Sequence, residues 1–258
     1  MRWLDLHTHT RLSADSGTAP RSLVAAAVRA GLAGVAVTDH GTIEGALRVR
    51  EAARGSALEV IVGAEYSTDV GHVLGLFLRE EIRLGAAPRW PWRDVLAAVR
   101  AQGGLAVLAH PTKTFRPLDL EVAAAMDGVE VYNARAEWSR FRQANGRARQ
   151  AWAEALRLGG RPLLATAGSD AHFPGEVGHA RCGVEDGGDL GQALRAGTRV
   201  VVGGGTWPIY EACSQALKTV RQRTWKAAPR SAVRLVWGGL RTLPHLQPPT
   251  PWRWEVRQ

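Results

Sequence analysis

Ionisable residues recur directly after apolar, β-branched runs along residues 1–172, and this recurrence restricts the fold more than any other feature of the chain. The opening run Trp3-Leu4-Asp5-Leu6-His7-Thr8-His9 alternates as a strand does, so His7 and His9 project from one face. Val35-Ala36-Val37-Thr38 leads into Asp39-His40, and Val60-Ile61-Val62-Gly63-Ala64 leads into Glu65. Leu105–Ala109 leads into His110, and Leu163–Gly168 into Ser169-Asp170-Ala171-His172. Helical segments are expected at 21–30, 43–54, 92–102, 138–158 and 190–196, the first bracketed by Pro20 and Gly31. A tight Asp69-Val70-Gly71 turn sets His72–Leu78 beside the preceding strand, and 129–132 and 199–202 add further strands. Such alternation implies a parallel sheet. An open sheet gathers its site at one crevice, whereas polar residues from six or more strand ends converge only in a closed ring. The sequence therefore predicts an α/β fold, a β/α barrel that is distorted and short of eight regular units.

Composition bounds what such a barrel can hold. A chain of 258 residues has core for one large domain, and no apolar run approaches membrane-spanning length. A strand beginning at Trp3 leaves no room for a secretory presequence, so a cytoplasmic location is expected. Cys182 and Cys213 provide neither a disulfide framework nor a thiolate metal site, so any metal must be held by His, Asp and Glu. His7, His9, His40, His72, His110 and His172, six of the eight histidines, lie at strand ends or starts. A single histidine so placed is better explained as a core side chain bonded to a carbonyl; six together, joined by Asp15, Glu65 and Asp170, point to a metal site. Imidazole and carboxylate without thiolate suit zinc, manganese or iron.

With these residues in view, the chain resembles the PHP (polymerase and histidinol phosphatase) phosphoesterases. The resemblance is carried by His7-Thr8-His9, Asp15, Thr38-Asp39-His40-Gly41, Gly63-Ala64-Glu65, His72, Ala109-His110-Pro111 and Gly168-Ser169-Asp170-Ala171-His172, and it spans residues 1–205. It implies a distorted seven-stranded barrel with three divalent transition metal ions. It also implies that His7, His9, Glu65 and Asp170 hold one metal, Asp15, His40 and His172 a second, and Glu65, His72 and His110 a third, with Glu65 bridging. The chemistry implied is hydrolysis of a phosphate ester by metal-activated water, on a nucleotide or small phosphomonoester. Asp39 is expected to orient a ligand or handle a proton, and Arg135, within Asn133-Ala134-Arg135, to bind phosphate, with Lys113, Arg116 and Arg181 as lesser candidates. His179 is a candidate for the mouth of the site, and no role is expected for His245.

Other readings stay open at this level. Exonuclease action on oligonucleotide ends, a histidinol-phosphatase-like activity and an amidohydrolase cleaving C–N bonds share parts of the pattern, although amidohydrolases commonly bridge their metals with a lysine where Glu65 stands here. A nucleic-acid-binding module is a further alternative. Residues 206–258 carry nine Lys or Arg against Glu211 and Glu255, and five of the ten tryptophans. A boundary at Gly203-Gly204-Gly205 thus divides a barrel, residues 1–205, from a basic, Trp-rich extension, residues 206–258. Ala212, Ala216, Leu217 and Val220 form an apolar stripe in that extension, with Lys218, Arg221, Arg223 and Lys226 largely off it. A second helix is expected around 233–240, broken at Gly238-Gly239. The extension is expected to pack on the barrel or to bind nucleic acid or an anionic membrane surface, and its removal to spare hydrolysis of a small substrate.

Overall fold

A computed structural model describes residues 1–85, 89–113, 119–138, 143–224, 227–242 and 252–256 of the chain. In chain order the elements are β1 (Arg2–Thr8), α1 (Pro20–Arg29), β2 (Gly34–Val37), α2 (Glu44–Ala52), β3 (Glu59–Thr68), β4 (Gly71–Leu76), α3 (Trp92–Ala101), β5 (Leu105–Ala109) and α4 (Leu120–Ala125). There follow β6 (Gly128–Asn133), α5 (Ala144–Gly159), β7 (Leu164–Gly168), β8 (Ala180–Val184), α6 (Leu190–Arg195), β9 (Val200–Gly203), α7 (Pro208–Arg221), α8 (Ala228–Thr242) and β10 (Trp252–Glu255). No helix among the described residues is long and apolar enough to cross a membrane.

The strands β1 to β7 neighbour one another in sequence order, parallel except for β4, which runs against β3 and β5. Closure comes just past β7, where Asp170 N donates to His7 O and His9 N to Ala171 O, both at 2.8 Å. The ring is the expected distorted barrel. Its other half-edge is used differently: Arg2–Leu4 of β1 pairs antiparallel with β8, which carries β9 and β10 outward. So β1 serves two neighbours along its length, and the split between them is filled by Asp5. That fully buried carboxylate accepts from Ser169 N at 2.9 Å, Ser169 Oγ at 2.5 Å, Gly178 N at 2.9 Å and His7 N at 3.3 Å. Burial lifts its pKa to about 6 against the pull of those donors. Gly168 is required at the same seam, because a Cβ there would lie 2.2 Å from His7 Cβ.

Several elements depart from the sequence reading. Glu65 lies within β3 rather than beyond it, since the β3–β4 hairpin continues the strand to Thr68. The short α4, capped by Asp119 accepting from Glu121 N and Val122 N, and the strand β8 were not anticipated. The long helix begins at Ala144, after Gln143 in the left-handed region at φ 67°, and not at Trp138.

Residues beyond 205 pack on the barrel. The strand β10 extends the sheet beside β9, with Trp252 stacked on Tyr132 and Trp254 edge-on to Trp152, each at 5.5 Å between ring centroids. Helix α8 runs unbroken through Gly238-Gly239, where the absence of a side chain at Gly238 lets it approach α7: a Cβ there would meet Ala212 Cβ at 2.9 Å. Trp252 and Trp254 are therefore packing groups. Trp225, Lys226 and His245 lie outside the described residues.

Asp5→Ala would remove the acceptor shared by four donors at the seam, leaving Ser169 Oγ only its longer contact to His7 O at 3.4 Å, a loss of roughly 3 kcal/mol or more. Thermal denaturation of metal-free protein is expected to show a Tm lower by roughly 10 °C. An unchanged Tm would mean that the seam is held by the backbone bonds alone.

Candidate metal centre

Alternation along β1 turns Asp5, His7 and the following His9 to one side, and both imidazoles are fully buried. Each has its outer nitrogen occupied. Nδ1 of His7 lies 3.1 Å from Glu130 Oε1, so it carries the proton and donates. Nδ1 of His9 lies 3.2 Å from Ser13 Oγ, whose own proton goes to Asp39 Oδ1 at 2.5 Å, so it too must donate. Both Nε2 lone pairs then face one another at 3.1 Å. Only a cation between them, a proton or a metal ion, removes that conflict.

The surroundings favour a metal. Glu65 lies 3.7 and 3.5 Å from the Nε2 atoms of His7 and His9, and Asp170 Oδ1 3.7 and 3.4 Å. Ligands 2.0–2.1 Å from a tetrahedral ion lie about 3.3 Å from each other, close to this spacing. A second group repeats the logic. Nδ1 of His172 donates to Asp170 O at 2.7 Å, which turns its Nε2 lone pair toward Asp15 Oδ1 at 3.4 Å. His40 Nε2 is also 3.4 Å from that oxygen, which is buried and has no hydrogen-bond partner. A third group has His72 Nδ1 at 2.6 Å and His110 Nε2 at 3.1 Å from Glu65 Oε1. The ligand atoms of His7, Glu65 and His110, of His7, His9 and Asp170, and of His9, His40 and His172 each fall within 4.8 Å of one another. The nine residues expected as ligands are thus brought together.

The electrostatics show how strongly the cluster wants positive charge. Burial opposes ionisation of Glu65, yet the imidazoles of His72, His7 and His40 hold it well below the usual carboxylate range. Burial likewise opposes ionisation of Asp170, which Lys113 and His7 keep ionised, and of Asp15, which His172 and His40 keep ionised. Burial works against the charged form of His40 as well, but Glu65 and Asp15 raise its pKa to about 10, while burial and neighbouring His172 push His9 well below its ordinary value. Backbone strain accompanies the arrangement: His110 at φ 28° and Asp170 at φ 56° are both in the left-handed region.

A cavity of 470 Å³ opens onto the cluster, lined by Asp15, His40, Glu65, His72, His110, Asp170 and His172, and on its outer side by Arg89, Lys113, Gln215 and Lys218. Lys113 Nζ reaches Asp170 Oδ2 at 3.0 Å. Arg135 reaches the same wall but is not a free phosphate fork. Its Nε and Nη2 are held by Glu176 at 3.0 and 2.8 Å, its Nη1 by Glu211 at 2.9 Å, and Nη2 also by Ser214 at 3.0 Å. Removing it would strand the fully buried Glu176, at a cost of several kcal/mol, so its loss reads as lost stability before lost affinity. Arg181 turns away to Ala30 O and the ring of Trp3. His179 packs edge-on to Trp207 and does not line the cavity. Arg116 lies outside the described residues. Asp39 sits behind the cluster, accepting from Thr10 N, Thr10 Oγ1 and Ser13 Oγ, which suits orientation of His9 and not proton transfer to a substrate.

The supporting shell escaped the sequence reading. Glu130 fixes His7 and also accepts His110 N at 2.7 Å; Ser13 fixes His9; Glu176 accepts His172 N at 2.9 Å. The available signal was a lone acid inside an apolar strand, Val129-Glu130-Val131, which burial tolerates only with partners.

Residues 5–151 match the sequence profile of the PHP domain, and residues 142–198 that of the PHP-associated region. An uncharacterized protein of Methanocaldococcus jannaschii is 35% identical over 146 residues, 50% of this chain and 81% of that protein. An error-prone DNA polymerase of Cutibacterium acnes is 41% identical over 69 residues, 26% of this chain but only 6% of the polymerase. Among solved structures, a two-domain Bacteroides vulgatus protein containing a PHP-like metal-dependent phosphoesterase superposes with a TM-score of 0.58 at 19% identity, covering 76% of this chain and 61% of that one. At that identity the likeness is one of fold.

Ser13→Ala removes the partner of His9 Nδ1 without removing a ligand, and such supporting groups are typically worth about 10- to 100-fold in metal affinity. Competition with a chromophoric chelator is expected to show a loss in that range, with total metal capacity at saturation unchanged. Unaltered affinity would show that His9 is oriented by the backbone alone.

Proposed function

The chain belongs to the PHP family, and from that premise we propose that it is a metal-dependent phosphoesterase acting on a nucleotide or another small phosphomonoester. The observation that carries the reading is the pair of Nε2 atoms of His7 and His9, facing each other at 3.1 Å beside Glu65 and Asp170, which in turn line a cavity edged by lysines. His7, His9, Glu65 and Asp170 would hold one metal, Asp15, His40 and His172 a second, and Glu65, His72 and His110 a third, as manganese, zinc or iron. Divalent metals bound there would supply Lewis acidity and water of lowered pKa.

The chain's own residues perform the remaining tasks. Glu65 presents one oxygen to His72 and His110 and the other to His9 and His40, so it ties the groups together. Glu130, Ser13 and the carbonyl of Asp170 keep the ring nitrogens of His7, His9 and His172 turned inward. Leu108, Val70 and Pro111 give the cavity an apolar wall. Arg89, Lys113 and Lys218 provide positive charge for phosphate oxygens, in place of the fork first expected from Arg135. A cavity of 470 Å³ suits a mononucleotide-sized ligand.

A second reading, hydrolysis at the end of an oligonucleotide, is supported by the similarity to the polymerase segment and the formal charge of +9. The amidohydrolase alternative is disfavoured because Glu65, and no lysine, joins the ligand groups.

Purified protein loaded with manganese or zinc is to be assayed on phosphomonoesters, nucleotides and short oligonucleotides, alongside elemental analysis. More than one equivalent of metal is expected. Glu65→Gln should lower kcat by more than about a hundredfold, beyond what loss of a supporting residue causes. Metal-loaded protein that cleaves none of these esters would end the phosphoesterase reading, and near-normal turnover by the variant would end the bridging role.

A further inference from the structure

The C-terminal helix α7 turns a polar stripe onto the metal cluster. Glu211, Ser214, Lys218 and Arg221 recur at helical spacing, and each is bonded to the barrel. Glu211 and Ser214 hold Arg135; Lys218 Nζ reaches Asp15 Oδ2 at 3.1 Å; Arg221 Nη1 donates to Ser16 O at 2.7 Å and Ser13 O at 3.1 Å. The loop gripped by Arg221 is the one that carries Ser13 and Asp15. The apolar stripe read from the sequence is divided: Ala212 lies against α8, Leu217 comes close to Gly17 of the barrel, and Val220 is exposed.

Lys218 and Lys113 occupy equivalent chemical positions. Asp15 and Asp170 each give one oxygen to the histidines and the other to an ammonium, Lys218 in the first case and Lys113 in the second. Both lysines line the cavity. The Lys218 side chain is 40% exposed and Asp15 only 7%, so the ammonium stands at the border between cluster and open cavity. When Asp15 shares its charge with a metal, its hold on Lys218 weakens, and the ammonium becomes available to an anion at the same place.

We propose that Lys218 is a substrate-binding residue supplied by the C-terminal segment, and that with Lys113 it flanks the phosphate group from two sides. This rests on the phosphoesterase reading and adds that the site is incomplete without residues beyond 205. It reverses the expectation that removal of the extension spares hydrolysis, since truncation removes one cavity wall and the anchor of the Asp15 loop.

The test uses full-length, metal-loaded protein and inorganic phosphate as the probe. Lys218→Met is expected to weaken phosphate binding, measured by calorimetry, about tenfold, the scale of one charge-assisted hydrogen bond. KM for a phosphomonoester should rise with it, metal content should stay the same, and Lys218→Arg should recover much of the affinity. Unchanged phosphate affinity in Lys218→Met would overturn the proposal, as would absence of phosphate binding by the wild-type protein. Loss of a metal equivalent would also overturn it, by assigning Lys218 to the placement of Asp15. Phosphate binding that depends on Lys218 in a protein that hydrolyses no ester would uphold the binding role and count only against the reaction.

Discussion

The confrontation of the His7 and His9 lone pairs governs the centre of the molecule. Two imidazoles whose Nδ1 atoms donate outward approach to 3.1 Å only with a proton or a metal ion between their Nε2 atoms, and here each ring is held from behind. The hold comes from groups that no strand-end pattern contains: a carboxylate on β6 for His7, and a serine in the β1–α1 loop backed by Asp39 for His9. These groups are fully buried or nearly so, and packing limits the rotamers open to them. The resulting site is preorganised, with its electrostatic conflict settled by what binds and not by movement.

The same demand explains the seam of the barrel. For His7 and Asp170 to meet, the segment after β7 must lie against the end of β1, while the start of β1 is already paired with β8. The strand can serve both only if something fills the gap, and the buried Asp5 does so with four hydrogen bonds to backbone and hydroxyl donors. Two inward positions on one strand thus do different work: His7 faces the cluster, and Asp5, two residues earlier, fastens the closure that puts His7 there. The left-handed conformations of His110 and Asp170 belong to the same economy, since both residues turn off a strand end into a crowded centre.

How far the sequence reveals this depends on the range of the interaction. Period-2 alternation and strand-end placement are local, so the barrel and the convergence of its strand-end histidines and carboxylates could be read from runs such as 3–9, 35–40 and 163–172, whereas their division among metals came only from the family resemblance. The partners of those residues are not local. Glu130 meets His7 across 123 positions, and nothing near Glu130 marks it beyond an acid in an apolar strand. Arg135 shows a related limit: an arginine past a strand end has one sequence appearance whether its donors are open to a ligand or, as here, engaged by Glu176 and Glu211. Charge and position propose a function, and the competing carboxylates decide it.

Helix α7 carries this furthest. A helix with apolar and basic stripes fits two orientations, and hydrophobicity alone favours turning the apolar one inward. Here inward is decided by charge. The barrel face that receives α7 presents Asp15, the carbonyls of Ser13 and Ser16, and Arg135 with its carboxylate Glu176, and against that face a stripe of Glu211, Ser214, Lys218 and Arg221 is the better complement. Ala212 is then left to α8, whose Gly238 permits the close approach, while Val220 faces solvent. Lys218 and Asp15 are separated by 203 positions, so without the folded barrel between them the contact would carry the full closure entropy of a long loop. Docking of α7 thus also completes the cavity wall, and a chain ending before residue 208 would lack Lys218 at that wall and the Arg221 contacts to the Asp15 loop.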